Sequence, residues 1–499
     1  MTTQTDGRLW QVDDQTTFVA GEWQTGAGEE ISVAEKATGE PLLVIREASL
    51  AQLDQAVAAA KAAQPAWAAL PGSERAAVLR RAADLLEDHH DEVVDWIVRE
   101  SGSVRAKAHA AEYLQALDEF REAAALAERT TTRPLPVQGE DVSVARRVPY
   151  GVVGVITPWN VPFTLAMRSV APALALGNAI VLKPDHQTPV SGAVLIGRLL
   201  EAAGLPAGVF NAVPGQGASV GAALVSHPDV AMVSFTGSTP VGRTIASLAA
   251  PQLKKVALEL GGKSPHVVLD DADVAGAAAA GAWGNFTHQG QVCMAVGRHV
   301  VAEAVLDEYV AELADWARGL RVGDPYREDV DLGPLINVRQ AERVEALVRD
   351  AVAQGAELVV GGRREGSFVE PTVLKGVTPK MRAYGEEVFG PVAVVVSAAD
   401  DEDAVRIAND TDYGLSASVH SASPERAAGV ADRIVSGMVH INGQPINDNA
   451  WAPMGGTKSS GTGGRFGGEA NVEMFTYVQW RTARALPDQG HFIKRPAAR

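Results

Sequence analysis

The chain predicts an α/β fold built on two successive parallel sheets, with an extended β-arm beside them. Three observations predict it. From residue 151, short β-branched runs alternate with Gly- or Pro-bearing turns and helix-like stretches. A second strand–helix series begins after residue 259 and runs to about 441. Residues 131–150 hold prolines and then alternating valines, and the stretch MFTYVQW near the C-terminus is again strand-like.

In chain order, residues 51–128 read as helices. One helical stretch opens at Ser73, a good N-cap, and closes at Gly102, with Val78, Ala82, Leu85 and Leu86 at helical spacing. The first sheet takes strands from VVGVI (152–156), 179–182, 209–213 and 230–235, with helices over 188–203, 217–226 and 239–249. The second takes HVVLD, the helix VAGAAAAGAWGNF, ELVVGG (357–362) and PVAVVVS (391–397). Uninterrupted apolar strands alternating with helices are what a parallel sheet covered on both faces requires.

A chain of 499 residues exceeds one core, so two or three domains are expected. The net charge of -17 argues against nucleic-acid or anionic-membrane partners. The longest apolar run, 170–182, is too short for a membrane helix. One cysteine fits a reducing compartment, and the first residues lack a signal-peptide pattern, so a cytoplasmic location is expected. His89 and His90 lie on a charged helix face and no HExxH occurs, so no metal is expected.

That single thiol, Cys293, stands in FTHQGQVCMAVGRH (286–299). Alone it reads as a buried structural cysteine. Its surroundings point to a nucleophile, which needs a lowered pKa or a nearby base. Glu259 ends the apolar strand VALEL and is followed by two glycines, as a general base in a cleft would be. Asn160, in TPWN after the first strand, offers an amide to a developing oxyanion. PGQGASVG follows a strand and opens a helix, but Val220 stands where the dinucleotide fingerprint wants its third glycine. In FTGSTPVG, Ser238 sits at a helix start, where it either caps the helix or donates to a phosphate.

Together these motifs resemble the aldehyde dehydrogenase superfamily over about residues 18–485, carried also by LKP, GQVC, EEVFGP and PMGGTKSSGTGG. The resemblance implies a Rossmann-type cofactor domain (1–130 and 151–258), a catalytic α/β domain (259–461) and an oligomerisation arm (131–150 and 474–499). It implies Cys293 as nucleophile, Glu259 as base, and Asn160 with the Cys293 N–H as the oxyanion hole. Lys183 and Glu387 match the residues that hold the cofactor riboses, and Phe389 the one near the nicotinamide. Gly217, Gly221, Gly237 and Ser238 match the phosphate turns, and Ile156, Thr157, Pro158, Trp159, Phe235, Val241, Gly242 and Leu260 the remaining cofactor wall. His186 stands where NAD-preferring relatives carry a glutamate. That departure leaves NADP open, while Asp185, one position earlier, offers a carboxylate in its place, and NAD is expected.

Within the family the chain is similar to benzaldehyde dehydrogenases and their relatives acting on aromatic aldehydes, through residues 286–299, 440–451 and 464–480. Apolar Val292 and Met294 beside the thiol, Phe163 and Met167 after TPWN, and Ile446 and Trp451 on a later loop are the expected walls for an uncharged ring. The product is expected to be the free acid, from a homodimer or homotetramer. Two alternatives stand beside this. One is an NADP-dependent semialdehyde or aliphatic aldehyde dehydrogenase, favoured by Arg168 and His186. The other is a Cys293–His288 hydrolase with no redox step.

Overall fold

A computed structural model describes residues 8–10, 13–129, 132–137, 141–464 and 466–485. The first sheet has seven strands in the order Lys255–Glu259, Met232–Thr236, Val152–Ile156, Ala179–Lys183, Phe210–Ala212, Thr17–Val19 and Glu22–Gln24. The first five are parallel, and the N-terminal hairpin closes the edge antiparallel. Val152–Ile156 and Ala179–Lys183 are buried along their whole length and rich in valine, isoleucine and leucine, as helices on both faces demand.

The register lines up four strand ends. Ile156 pairs with Lys183 and Phe235, and Thr236 pairs with Glu259. The carboxyl edge of an open parallel sheet is where ligands bind, because the strand-to-helix turns leave a crevice there. This edge delivers Pro158, Trp159, Asn160, the Gly237 turn and Glu259 to one crevice, with Lys183 at the neighbouring strand end and off its wall.

The second sheet has the order Glu357–Val360, Thr372–Lys375, Val392–Ala398, Val296–Ala302, Ser264–Val268, Ser416–His420 and Met438–Ile441. All its pairings are parallel except the edge strand Glu357–Val360. The helix Val274–Phe286 packs on it, its N-terminus capped by Asp273, which accepts from the Gly276 N–H at 3.2 Å. The loop after this helix carries the cysteine.

The third sheet pairs Thr476–Ala483 with Val142–Pro149, and that strand with Thr132–Pro134, all antiparallel. The parts of the expected arm at 131, 138–140 and 486–499 lie outside the described residues.

The helix expected from Ser73 to Gly102 is two helices, Gly72–Asp88 and His90–Ser101. Pro71 occupies the capping position and its fixed φ starts the first helix, so Ser73 falls inside the first turn. Gly102 stops the second with φ 71, the left-handed conformation that favours glycine.

Candidate active site

Two cavities meet at the cysteine. One, of about 920 Å³, is walled by Val161, Leu165, Phe286, Val292, Met294, Ile446 and Met454, among others. The other, of about 450 Å³, is walled by Pro158, Trp159, Gly237, Ser238, Glu259, Leu260, Glu387 and Phe389 among others. Cys293, Asn160 and Leu165 line both.

The loop that carries Cys293 is tightly constrained. His288 and Gln289 hold φ of 50 and 55, and Gly290 follows at 69, three left-handed residues in a row. Such backbone persists only where surroundings over-determine it. Gln289 Nε2 donates to the carbonyls of Gly102 and Pro334 at 2.9 and 2.8 Å. A Cβ on Gly290 would stand 2.2 Å from the Gly390 carbonyl oxygen, and one on Gly262 would stand 2.3 Å from that of Cys293. Asn160 Nδ2 donates to the Gln291 carbonyl at 2.8 Å, which fixes the amide against the same loop. Among the described residues no acceptor takes the Cys293 N–H. An oxyanion on the carbon bound to sulfur would find this N–H and the Asn160 amide together.

Burial pushes the Cys293 thiol up to about 12, with Glu387, Glu259 and Asp448 adding to the shift and Arg168 opposing it. The thiol is thus protonated near neutral pH and needs a base before it attacks. Glu259 lies on the wall of the smaller cavity and is buried. Its position at a strand end, beyond two flanking apolar residues, follows from the register given above.

The smaller cavity has the chemistry a dinucleotide needs. Lys183 is buried, and burial holds its ammonium below the usual range while Asp185 and Glu47 oppose the shift. Its Nζ makes no hydrogen bond or ion pair among the described residues, and Lys183 itself lies off the wall of this cavity, at the strand end beside it. Ser238 takes the N-cap position of Thr239–Ala249 but makes no side-chain cap bond, so the phosphate role stays open to it. Glu387 Oε1 accepts from the Gly262 N–H at 3.0 Å, and burial pushes its carboxyl up to about 7. Phe389 holds φ 54 and meets Trp159 edge-on, ring centroids 5.4 Å apart.

Val220 explains the incomplete glycine fingerprint. It is buried, and a Cβ on Gly215 would lie 2.5 Å from its Cγ2. The loop is closed by valine against glycine rather than by glycine against a strand. Gly221 faces Lys183 Cδ at 3.6 Å and Gly217 faces open space.

Several expected wall residues sit elsewhere. Phe163 and Met167 are fully buried in the core and line neither cavity. Helical spacing was right, but the tunnel face of Pro162–Ala175 is Thr164 and Leu165, which lie between Phe163 and Met167 in the chain and point another way. Trp451 is 60% exposed and off both walls, whereas Ile446 of the same loop lines the tunnel. Phe235 and Ile156 belong to the core under the smaller cavity. Phe235 acts indirectly, since a Cβ on Gly237 would come within 2.5 Å of its ring. Gly242 answers to Leu260 in the same way, at 2.5 Å. Val241 is exposed, Thr157 is buried beside the strand end, and His186 lies beside Asp185 at 3.5 Å.

Sequence reading missed Gln340, Arg343 and Tyr413 on the smaller cavity. Gln340 Nε2 donates to the Phe389 carbonyl at 2.9 Å, and Arg343 to those of Val388 and Glu387 at 2.8 and 2.7 Å. They stand on the amphipathic helix Val338–Ala353, with no motif to mark them. Arg168 is not free to greet an anionic substrate. It is buried between Asp448, at 2.5 Å, and Glu119, at 3.4 Å. Burial would lower its pKa, but these two carboxylates outweigh that and raise it. His288 makes no hydrogen bond to the thiol, and burial beside Lys107 holds its imidazole well below the usual range, hence neutral.

Residues 23–481 match the aldehyde dehydrogenase family, and the chain belongs to it. It is 50% identical to a vanillin dehydrogenase from an Amycolatopsis species, over 93% of this chain and 95% of the relative. It is 48% identical to an NAD(+) benzaldehyde dehydrogenase from Pseudomonas putida, over 92% of this chain and 94% of the relative. Among solved structures, an aldehyde dehydrogenase from Pseudomonas syringae in complex with NAD+ and octanal matches with TM-score 0.91 and 38% identity, over 96% of this chain and 99% of that one.

Proposed function

We propose that this enzyme oxidises aromatic aldehydes to carboxylic acids with NAD, through a thioester on Cys293. One observation carries the reading: Cys293 stands where an apolar tunnel and a dinucleotide-like crevice meet, with Glu259 and Asn160 beside it. The vanillin and benzaldehyde dehydrogenases at about half identity support the substrate class.

The steps follow from the geometry. The aldehyde enters the tunnel with its ring against Leu165, Val292 and Met294. The Cys293 thiol gives its proton to Glu259 and the sulfur bonds to the carbonyl carbon. The new oxyanion is held by the Asn160 amide and the Cys293 N–H. A bound NAD would supply the acceptor for the hydride that this carbon loses on becoming the thioester. Glu259, once it has passed the thiol's proton to solvent, takes a proton from a water that attacks the thioester and hands it to the departing sulfur, so the acid leaves as the thiol is restored. Lys183 and Glu387 would hold the NAD riboses, with His186 and Asp185 beside Lys183 in sequence.

The domain division at 1–130 with 151–258, and 259–461, fits a cofactor sheet and a catalytic sheet. The arm built from 131–150 and 474–499 suits a homo-oligomer, because its outer strand exposes Val478 and Trp480 along an unpaired edge. Among the described residues no helix is long and apolar enough to cross a membrane, and a free catalytic thiol suits the cytoplasm.

NADH formation with benzaldehyde, vanillin, hexanal and succinate semialdehyde, each with NAD and NADP, tests this. Aromatic aldehydes with NAD should give the highest kcat/KM. Preference for succinate semialdehyde would defeat it, and the burial of Arg168 between two carboxylates predicts against that result.

A further inference from the structure

We propose that Gln115 and Asp448 form a polar subsite inside the aldehyde tunnel, which reads a hydroxyl or alkoxy group on the aromatic ring. The proposal rests on the aromatic-aldehyde reading and narrows it.

Near the thiol the tunnel is apolar, lined by Leu165, Phe286, Val292 and Met294. Polar side chains interrupt that lining, and most are already engaged. Thr164 Oγ1 donates to the carbonyls of Ala111 and Glu112 at 3.0 Å each. Lys107 is ion-paired with Glu112 and donates to the Asn160 carbonyl. Gln115 is different. It lines the tunnel, and its Nε2 is shielded from solvent with no hydrogen-bond partner. A buried amide left unpaired costs about 1–3 kcal/mol, so a group that completes it on binding gains that much. Its terminal torsion is soft, so a small rotation turns the donor onto a ligand.

Asp448 supplies the matching acceptor. It lines the same tunnel and its side chain is 11% exposed. Its one ion pair among the described residues is with Arg168, which Glu119 also holds. Glu119 lies one helical turn from Gln115 on Gln115–Ala127, so the pair flanks a single ion-paired triad. The ion pair with Arg168 fixes the carboxylate in place. Gln115, Asp448 and Cys293 line one cavity, so the ring of an aldehyde held on the sulfur extends into the space that Gln115 and Asp448 border. A phenolic O–H donates to Asp448, and a hydroxyl or methoxy oxygen accepts from Gln115. The same carboxylate repels an anionic tail, which adds to the case against semialdehyde acids. Sites that pair a substrate hydroxyl discriminate more strongly than apolar walls, because the analogue without it leaves their polar groups unpaired.

The test is steady-state kcat/KM for benzaldehyde, para-hydroxybenzaldehyde and meta-methoxybenzaldehyde with NAD, in the full-length enzyme and in Gln115→Leu, Gln115→Glu and Asp448→Asn. The wild type should favour each substituted ring over benzaldehyde by about tenfold or more. Gln115→Leu should cut both preferences, expressed mainly in KM. Gln115→Glu should keep the hydroxyl preference and lose the methoxy one. Asp448→Asn should lose the hydroxyl preference, and if it fails to fold the two Gln115 variants decide alone. Equal kcat/KM on all three rings in the wild type, or unchanged ratios in Gln115→Leu, would overturn the subsite. Faster turnover of hexanal than of any of these rings would instead overturn the aromatic reading itself.

Discussion

Lys107 Nζ donates to the backbone carbonyl of Asn160 at 3.1 Å, from a side chain with 5% exposure. Its counter-charge, Glu112, is fully buried, and Glu112 Oε2 accepts from the Phe163 N–H at 3.1 Å. The two charges thus grip the turn on both sides of Asn160 and set where its amide points. Burial pushes Lys107 down and Glu112 up, and each charge opposes the other's shift.

Removing one partner leaves the other charged and buried. Lys107→Met should therefore lose about 3–5 kcal/mol of stability. Lys107→Met combined with Glu112→Gln should recover most of it while kcat stays low, because Asn160 is no longer held. Urea unfolding and steady-state kinetics check both. A double variant less stable than the single would show that the pair does not act as a unit.

Cys293→Ala should reduce turnover by at least about a thousandfold while NAD binding persists. Glu259→Gln should give one rapid burst of NADH without steady turnover, since thioester hydrolysis lacks its base. Quenched-flow measurement separates the two phases. Near wild-type steady rates in either variant would remove that residue from the chemistry.

Gly237→Ala puts a methyl within 2.5 Å of the Phe235 ring. The turn must shift, and NAD affinity should fall by about tenfold, equal to about 1.4 kcal/mol. Adding Phe235→Leu should restore much of it, because the ring is what forbids the Cβ. Titration calorimetry with NAD measures both, and no rescue would mean that backbone freedom, not the ring, demands glycine there.

His299 is buried and neutral, and burial next to the Lys263 charge lowers its pKa to about 3. Its Nδ1 bonds the Tyr309 hydroxyl at 2.7 Å and its Nε2 bonds Asn285 Oδ1 at 3.3 Å. An unfolded histidine titrates near 6.5, so between about 6.5 and 3 the unfolded chain binds a proton that the fold refuses. The stability His299 supplies is whole above that window and drains as pH falls through it, by up to about 1.4 kcal/mol per pH unit. His299→Gln has no such proton to bind. Wild-type stability minus that of His299→Gln should thus shrink on acidification, and a difference flat from pH 7 to 5 would contradict the burial argument.

The alternation of strands and helices and the strand-end placement of Asn160, Lys183, Gly237 and Glu259 were legible in the sequence, because apolar runs and glycine turns are local signals. Side-chain direction was less so. Phe163 and Thr164 are neighbours, and a rotation of one residue decides which is core and which is tunnel. That rotation is set by packing against Gln115–Ala127, a contact no local pattern encodes. Gln340 and Arg343 were invisible for a similar reason: they act from a distant helix on backbone carbonyls. Val220 looked like a defect in a fingerprint and is a different solution to closing the same loop.

Among the described residues only Cys293, Asn160 and Leu165 belong to both cavities, so the two meet through a narrow partition. On the proposed function, aldehyde and dinucleotide arrive by separate doors. The tunnel lining can drift toward new aldehydes while the redox half stays as it is. A lineage with this layout diversifies by changing its substrates and keeping its chemistry.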